Sequence, residues 1–357
     1  MPLSERENFI RAVTFANPEW TPTAYMSFYH ATWRKYGRAL EDLVLRHPLI
    51  YPDHVPGSVD FTASSPGSRE GEYFTDNWGC VWYVVPEGGG MMGQVVEHPL
   101  SDWSALSAYV PPDPLELEDR RARDWDRLRD EVERLHHLGK VAWGQVGSVF
   151  DLFYHLRGFE NLMMDFATEA PQLPRLIDMV TEHRLVVVDK LLETGVDAIY
   201  FHADIGFQHS LMIRPAQFRR YIKPMFKTLF TRCREAGTHV YFSSEGRLID
   251  IVADLVECGV SIHDVEMASH TLDEIAEAYG GKICVMFYPD AQKMPLWQPS
   301  EVKEHIGDVV KRLGSPTGGL IFAGYPTPDV PLANIEAMAL AMEEYRTYWH
   351  TGRGRRP

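Results

Sequence analysis

Imidazole, carboxylate and hydroxyl groups recur where a series of short apolar runs stops. His202 and Asp204 follow "VDAIYF", and Ser243, Ser244 and Glu245 follow "THVYF". Asp264 and Glu266 close "VSIH", Tyr288 and Asp290 follow "KICVMF", and Tyr325 follows "LIFAG". Gathered at one place, such groups support two chemistries. Oxygen and nitrogen donors can hold a hard or borderline divalent metal. Alternatively, paired carboxylates can do acid/base work without a metal once their environments separate their pKa values. The residue types leave both open.

The elements that carry these residues follow a rhythm. Gly195, Gly237, Gly259, Gly281 and the pair Gly318-Gly319 each precede a short run rich in β-branched and aromatic residues. Such runs read as strands buried on both faces. Between them lie helical patterns over about 215–236, 247–258, 271–279, 300–313 and 331–347. Five successive strand–helix units imply a parallel sheet. Upstream, "KVAWGQVGSVF" (140–150) reads as another strand, followed by helices at 158–167 and 174–194. "TPTAYMSFY" (21–29) reads as the first strand, after a helix opened by the capping box Ser4-x-x-Glu7. Trp125, Leu128, Val132 and Leu135 give the charged segment 115–138 one buried stripe.

Residues 50–112 interrupt the rhythm with Pro, Gly, Ser and aromatics, and read as hairpins and loops. Within them "EGGGMMGQ" (87–94) lacks the Lys-Ser/Thr of a phosphate loop and reads as a hairpin turn. The expectation is an α/β chain: a (β/α)8 TIM barrel over 1–350 with a loop/hairpin elaboration at 50–112. Residues 351–357 form a basic tail. In such a barrel the site lies at the C-terminal ends of the strands, where these polar groups stand. His239, at a strand start, reads as structural; His263 alternates with Asp264 and faces the helices; His136 and His137 read as solvated.

Composition narrows the function classes. A net charge of −15 lacks the basic footprint of a nucleic-acid binder. No apolar run approaches the ~20 residues that span a bilayer. The start "MPLSERENFIRAV" is charged at once and does not read as a signal peptide. Cys80, Cys233, Cys258 and Cys284 have no CxxC spacing, as expected of reduced thiols in a cytoplasmic protein.

The ordered segments "LRGFENLMMDF" (156–166), "GVDAIYFHADIGFQHSLMIRPAQF", "GTHVYFSSEGRLIDIVADLVECGVSIHDVE" and "YGGKICVMFYPDAQ" resemble the uroporphyrinogen decarboxylase superfamily. "RENFIRAVTFANPEWTPT" and "TDNWGCVWY" are similar to its opening segments. The resemblance implies a β/α barrel. True decarboxylases carry a Met-Arg-Gln-Ala-Gly-Arg signature after the first strand, where this chain reads "AYMSFYHATWRKYG". The methyltransferase-like branch is therefore the nearer likeness, and Asp204, Gly206 and Gln208 match its Asp-x-Gly-x-Gln pattern. That branch holds zinc through His-x-Cys-Gly and a later cysteine. Here the positions read Ser243-Ser244-Glu245-Gly246 and Tyr325.

The resemblance implies methyl transfer from a small methoxylated or methylamine compound to a corrinoid protein. Glu245, Asp204, His202 and Tyr325 are the expected catalytic residues. Ser243, Gln208, Tyr288, Trp78, Trp82 and Glu266 are expected to bind the substrate. Glu245 and His202 are the candidate ligands for a divalent metal such as zinc. Self-association into a homodimer stays open. A metal-free decarboxylase or lyase on a small carboxylated compound is the alternative enzyme, and a non-catalytic ligand-binding barrel the alternative class.

Overall fold

A computed structural model describes residues 3–62, 71–84, 93–116 and 122–350. The tail 351–357 and most of the glycine run, 87–92, lie outside the described residues. Among those described there are ten strands. They are β1 (Thr23–Met26), β2 (Tyr73–Thr75), β3 (Val81–Val84), β4 (Gly93–Glu97) and β5 (Trp143–Ser148), then β6 (Ala198–His202), β7 (His239–Ser243), β8 (Ile262–Asp264), β9 (Cys284–Phe287) and β10 (Leu320–Gly324). The chain packs as two compact units. One comprises 1–68, 89–91 and 264–357; the other comprises 69–88 and 92–263.

In the first unit β1, β10 and β9 are parallel neighbours, with Thr23 opposite Phe322 and Leu320 opposite Val285. Every residue of β9 and β10 is buried. The capping box at Ser4 opens helix Glu5–Val13 as its sequence requires: the Ser4 hydroxyl accepts from the Glu7 N–H, and the Glu7 carboxylate accepts from the Ser4 N–H. Helices Leu272–Tyr279, Pro299–Leu313 and Leu332–Tyr345 follow within two residues of the expected bounds.

The second unit carries the site. Its strands β5, β6 and β7 run parallel, and Ser148, His202 and Ser243 stand in one row at their C-terminal ends. Helix Leu173–Glu193 packs with the helix Lys223–Glu235, whose Phe226 and Phe230 press on Phe242 of β7. The helix expected over 215–236 is interrupted. Pro224 has no N–H to donate backwards, and the chain widens into a π turn at Phe218–Ile222 before continuing. Strands β2, β3 and β4 form a separate antiparallel sheet, the hairpin element expected between 50 and 112.

One histidine differs from expectation. His136 is not simply solvated: its Nε2 lies 3.0 Å from the carboxylate of Asp197, which is buried and also accepts the Ala142 N–H. The helix Trp125–His137 ends over the start of β6, a neighbour that helical periodicity does not reveal. His239 is structural as expected, buried with its Nδ1 3.0 Å from the Arg234 guanidinium.

Candidate active site

Three parallel strands end together, and each supplies an acidic or imidazole group from its end. Past β5, the chain turns directly into helix Asp151–Arg157, placing the buried Asp151 in its first turn. There the unsatisfied N–H groups favour a carboxylate. His202 is the last residue of β6, and Asp204 follows two residues later. Glu245 follows β7 by two.

The loops that carry Asp204 and Glu245 are tied to each other by hydrogen bonds. The Asp204 N–H donates to Asp151 Oδ2 at 3.1 Å. In turn the Glu245 N–H donates to Asp204 Oδ1 at 2.9 Å. Ser244, 2 % exposed, accepts the Ile205 N–H through its hydroxyl, and the Arg247 N–H donates to the Phe207 carbonyl at 2.8 Å. Ser244 is thus a strut between loops.

Two glycines permit this approach. Gly246 has φ +84°, and a Cβ there would fall 2.4 Å from the Gly206 carbonyl carbon. A Cβ on Gly206 would meet the Glu245 carbonyl oxygen at 2.7 Å. Backbone cannot yield as a side-chain tip can, so the loops would have to separate. Gly246→Ala is expected to cost about 1–3 kcal/mol of stability and to pull Glu245 away from Asp204. Urea denaturation, with a substrate-binding titration on the folded fraction, checks both effects.

His202 Nε2 lies 3.5 Å from Asp151 Oδ1 and 3.6 Å from Asp204 Oδ2. Its Nδ1 faces the Tyr200 hydroxyl at 3.3 Å. The Tyr154 hydroxyl donates to Asp151 Oδ1 at 2.5 Å. One ligand atom each from Asp151, His202 and Asp204 lies within 4.8 Å of the others. Burial, and then the charge of Asp151, push the Asp204 carboxyl above its ordinary range. Glu245 reaches solvent, yet partial burial of its carboxyl and the nearby charge of Asp204 also push it upward. Tyr154 is raised by burial and by Asp151, so its phenol remains a donor.

An aromatic wall continues from Tyr154. Its ring meets His155 edge-on, and His155 meets the edge of Trp82, whose indole N–H donates to Asp76 at 2.7 Å. Burial lowers His155 to about 4, so it is a neutral ring at neutral pH. Phe159 and Phe207, both exposed, meet edge to face beside Tyr154.

Of the expected site residues, the second unit brings together His202, Asp204 and Glu245, with Ser243 buried in the strand end beneath them. Gln208 is exposed on the loop past Asp204. Trp82 belongs to the aromatic wall, whereas Trp78 is buried against His183 and the Arg184 guanidinium. Tyr325, Tyr288 and Glu266 belong to the first unit. There Tyr325 packs on Tyr29 with ring centroids 3.8 Å apart, the Tyr288 hydroxyl points at Met286 Sδ, and Glu266 caps the Ala268 N–H. Sequence reasoning missed Asp151 and Tyr154. The signal was present: Asp151 is the first carboxylate after the run "KVAWGQVGSVF".

A thiolate zinc centre does not fit these residues. All four cysteines are buried, and burial raises Cys258 to about 11 and Cys233 to about 12. Cys80 and Cys284 are also raised by burial. Cys80 donates to the His155 carbonyl and Cys233 to that of Leu229. The strand end that would carry imidazole and thiol carries Ser243, Ser244 and Glu245 instead.

Comparisons with known proteins agree with the strand–helix alternation. A methyltransferase from Methanosarcina mazei has a similar fold, with a TM-score of 0.64 at 14% sequence identity over 96% of this chain and 99% of that one. A comparison with curated protein sequences gives no match. The family described as uroporphyrinogen decarboxylase (URO-D) matches residues 84–345, most of the chain, and that family folds as a β/α barrel. The chain belongs to the uroporphyrinogen decarboxylase family.

Proposed function

We propose that the protein takes a methyl group from a small methoxylated or methylamine compound and passes it to a corrinoid carried on a separate protein. The observation that carries this reading is the meeting of Asp204 and Glu245 beside His202, on stacked loops at adjacent strand ends. Breaking a methyl–oxygen or methyl–nitrogen bond leaves the bonding pair on the heteroatom, which must gain a proton as it departs. Glu245, at the solvent-reached edge of the cluster, hands over that proton, and the backbone bond to Asp204 holds it in place. The corrinoid supplies the nucleophile when bound.

Asp204 and His202 orient the substrate's polar end, while Trp82 and His155 offer flat apolar faces to its body. Gln208, exposed on the loop past Asp204, completes the proposed contact set. The likeness to the Methanosarcina mazei methyltransferase supports the same direction. The test is methyl transfer to free cob(I)alamin from a panel of methyl ethers and methylamines. Turnover on one class supports the reading. A folded protein inactive across the panel, yet binding one of its members, would point to a ligand-binding barrel.

A further inference from the structure

We propose that Asp151, His202 and Asp204 hold one divalent cation through oxygen and nitrogen donors, at the ends of β5 and β6. The inference rests on the geometry of these three residues and not on the methyl-transfer reading.

The spacing is the first argument. At 3.5 and 3.6 Å, His202 Nε2 stands beyond good hydrogen-bond length from both carboxylates. Donor atoms that share a first-row ion at about 2.0–2.2 Å stand roughly 3.0–3.5 Å apart. The two imidazole–carboxylate separations need only a few tenths of an ångström of closure, and the two carboxylates lie within 4.8 Å of each other.

Charge is the second argument, and it is independent of spacing. Two other buried carboxylates of this unit have Arg or Lys partners: Arg157 on Asp165, and Arg219 with Lys223 on Asp254. Among the described residues no lysine or arginine pairs with Asp151, Asp204 or Glu245, although the Asp151 side chain is only 4% exposed. A divalent cation would offset the two aspartates.

Support around the ligands is of the kind metal sites use. Tyr200 faces His202 Nδ1, Tyr154 donates to Asp151, and the Glu245 N–H fixes Asp204 Oδ1 so that Oδ2 turns toward the imidazole. Two carboxylates and one imidazole suit a borderline ion such as Mn²⁺, Co²⁺ or Zn²⁺, and three protein ligands leave room for a substrate heteroatom. The set shares only His202 with the Glu245–His202 pair expected from sequence, and it contains no thiolate.

The experiment strips the protein with chelator, then measures binding of Mn²⁺, Co²⁺ and Zn²⁺ separately by equilibrium dialysis and calorimetry. One equivalent per chain is expected, weakened more than ~100-fold by Asp151→Asn or Asp204→Asn. Tyr200→Phe, which keeps all three ligands, should weaken it ~10–100-fold. Cys80→Ser should leave it unchanged. Circular dichroism confirms that each variant is folded. Less than about 0.2 equivalents bound for every ion, or binding indifferent to both aspartate substitutions, would overturn the proposal. Methyl transfer measured on the same stripped protein separates the two readings: activity without metal uptake sinks the cation site alone, and uptake without activity sinks the transferase reading alone.

Discussion

Glu245→Gln should lower the rate of methyl transfer by between about 100- and 10,000-fold while the protein stays folded. Glutamine keeps the side-chain length, and its backbone N–H still reaches Asp204, so the stacked loops should survive. What it cannot do is deliver a carboxylic proton to a departing heteroatom. Because the defect lies in bond breaking, kcat should carry it and KM should change little. The size of the loss should also track the leaving group. A compound whose oxygen departs as a stable anion needs little protonation, so its penalty should be smallest. Steady-state kinetics over a series of such ethers gives the dependence directly. A rate within about three-fold of the parent for every compound would remove Glu245 from the chemistry.

Acidification should destabilise the second unit through two buried histidines remote from the reacting groups. Burial, then the charge of Arg184, lower His183 to about 3; burial, then Arg234, lower His239 to about 4. Asp113 and Asp197 oppose these shifts only in part. Both folded values lie below the ordinary 6.5, so between them the unfolded chain binds more protons. Their contribution is complete above pH 6.5 and is lost as pH falls toward about 4 for His239 and about 3 for His183. At about pH 5 each histidine has forfeited about 2 kcal/mol, or about 4 kcal/mol together. Urea denaturation at pH 7 and pH 5 reads the difference. His183→Gln with His239→Asn should flatten the pH dependence even if the protein is weaker throughout. An unchanged slope would mean that other groups control the acid limb.

The strand–helix alternation was open to reading because burial on both faces leaves a local mark: a continuous apolar run, bounded by a glycine before and a polar residue after. "THVYF" became β7, and Gly259, with φ +98°, caps the preceding helix in the left-handed conformation that glycine tolerates. Placing His202, Asp204 and Glu245 at strand ends needed only that pattern. Asp151 also follows such a run, but its partner was not legible. Asp151 lies three residues past Ser148, inside a helix, and nothing local ties it to a histidine 51 positions away. The register Ser148–His202–Ser243 makes that tie.

His136 teaches the same point from the other side. The residue looked solvated because charges surround it in sequence, yet a buried carboxylate from the start of β6 lies opposite. Periodicity reports how much of a face is apolar, not which distant residue will meet it.

By itself the sequence determined the family, the α/β class, the polar residues at the strand ends, and the absence of cysteine from "YFSSEG". Each depends on residue identity or on neighbours within one element. Only the tertiary structure decided that Ser244 braces two loops, that Gly206 and Gly246 let them touch, and that Asp151 joins His202 and Asp204. Those facts depend on separations of a few ångströms between segments far apart in the chain, which strand pairing and backbone packing set.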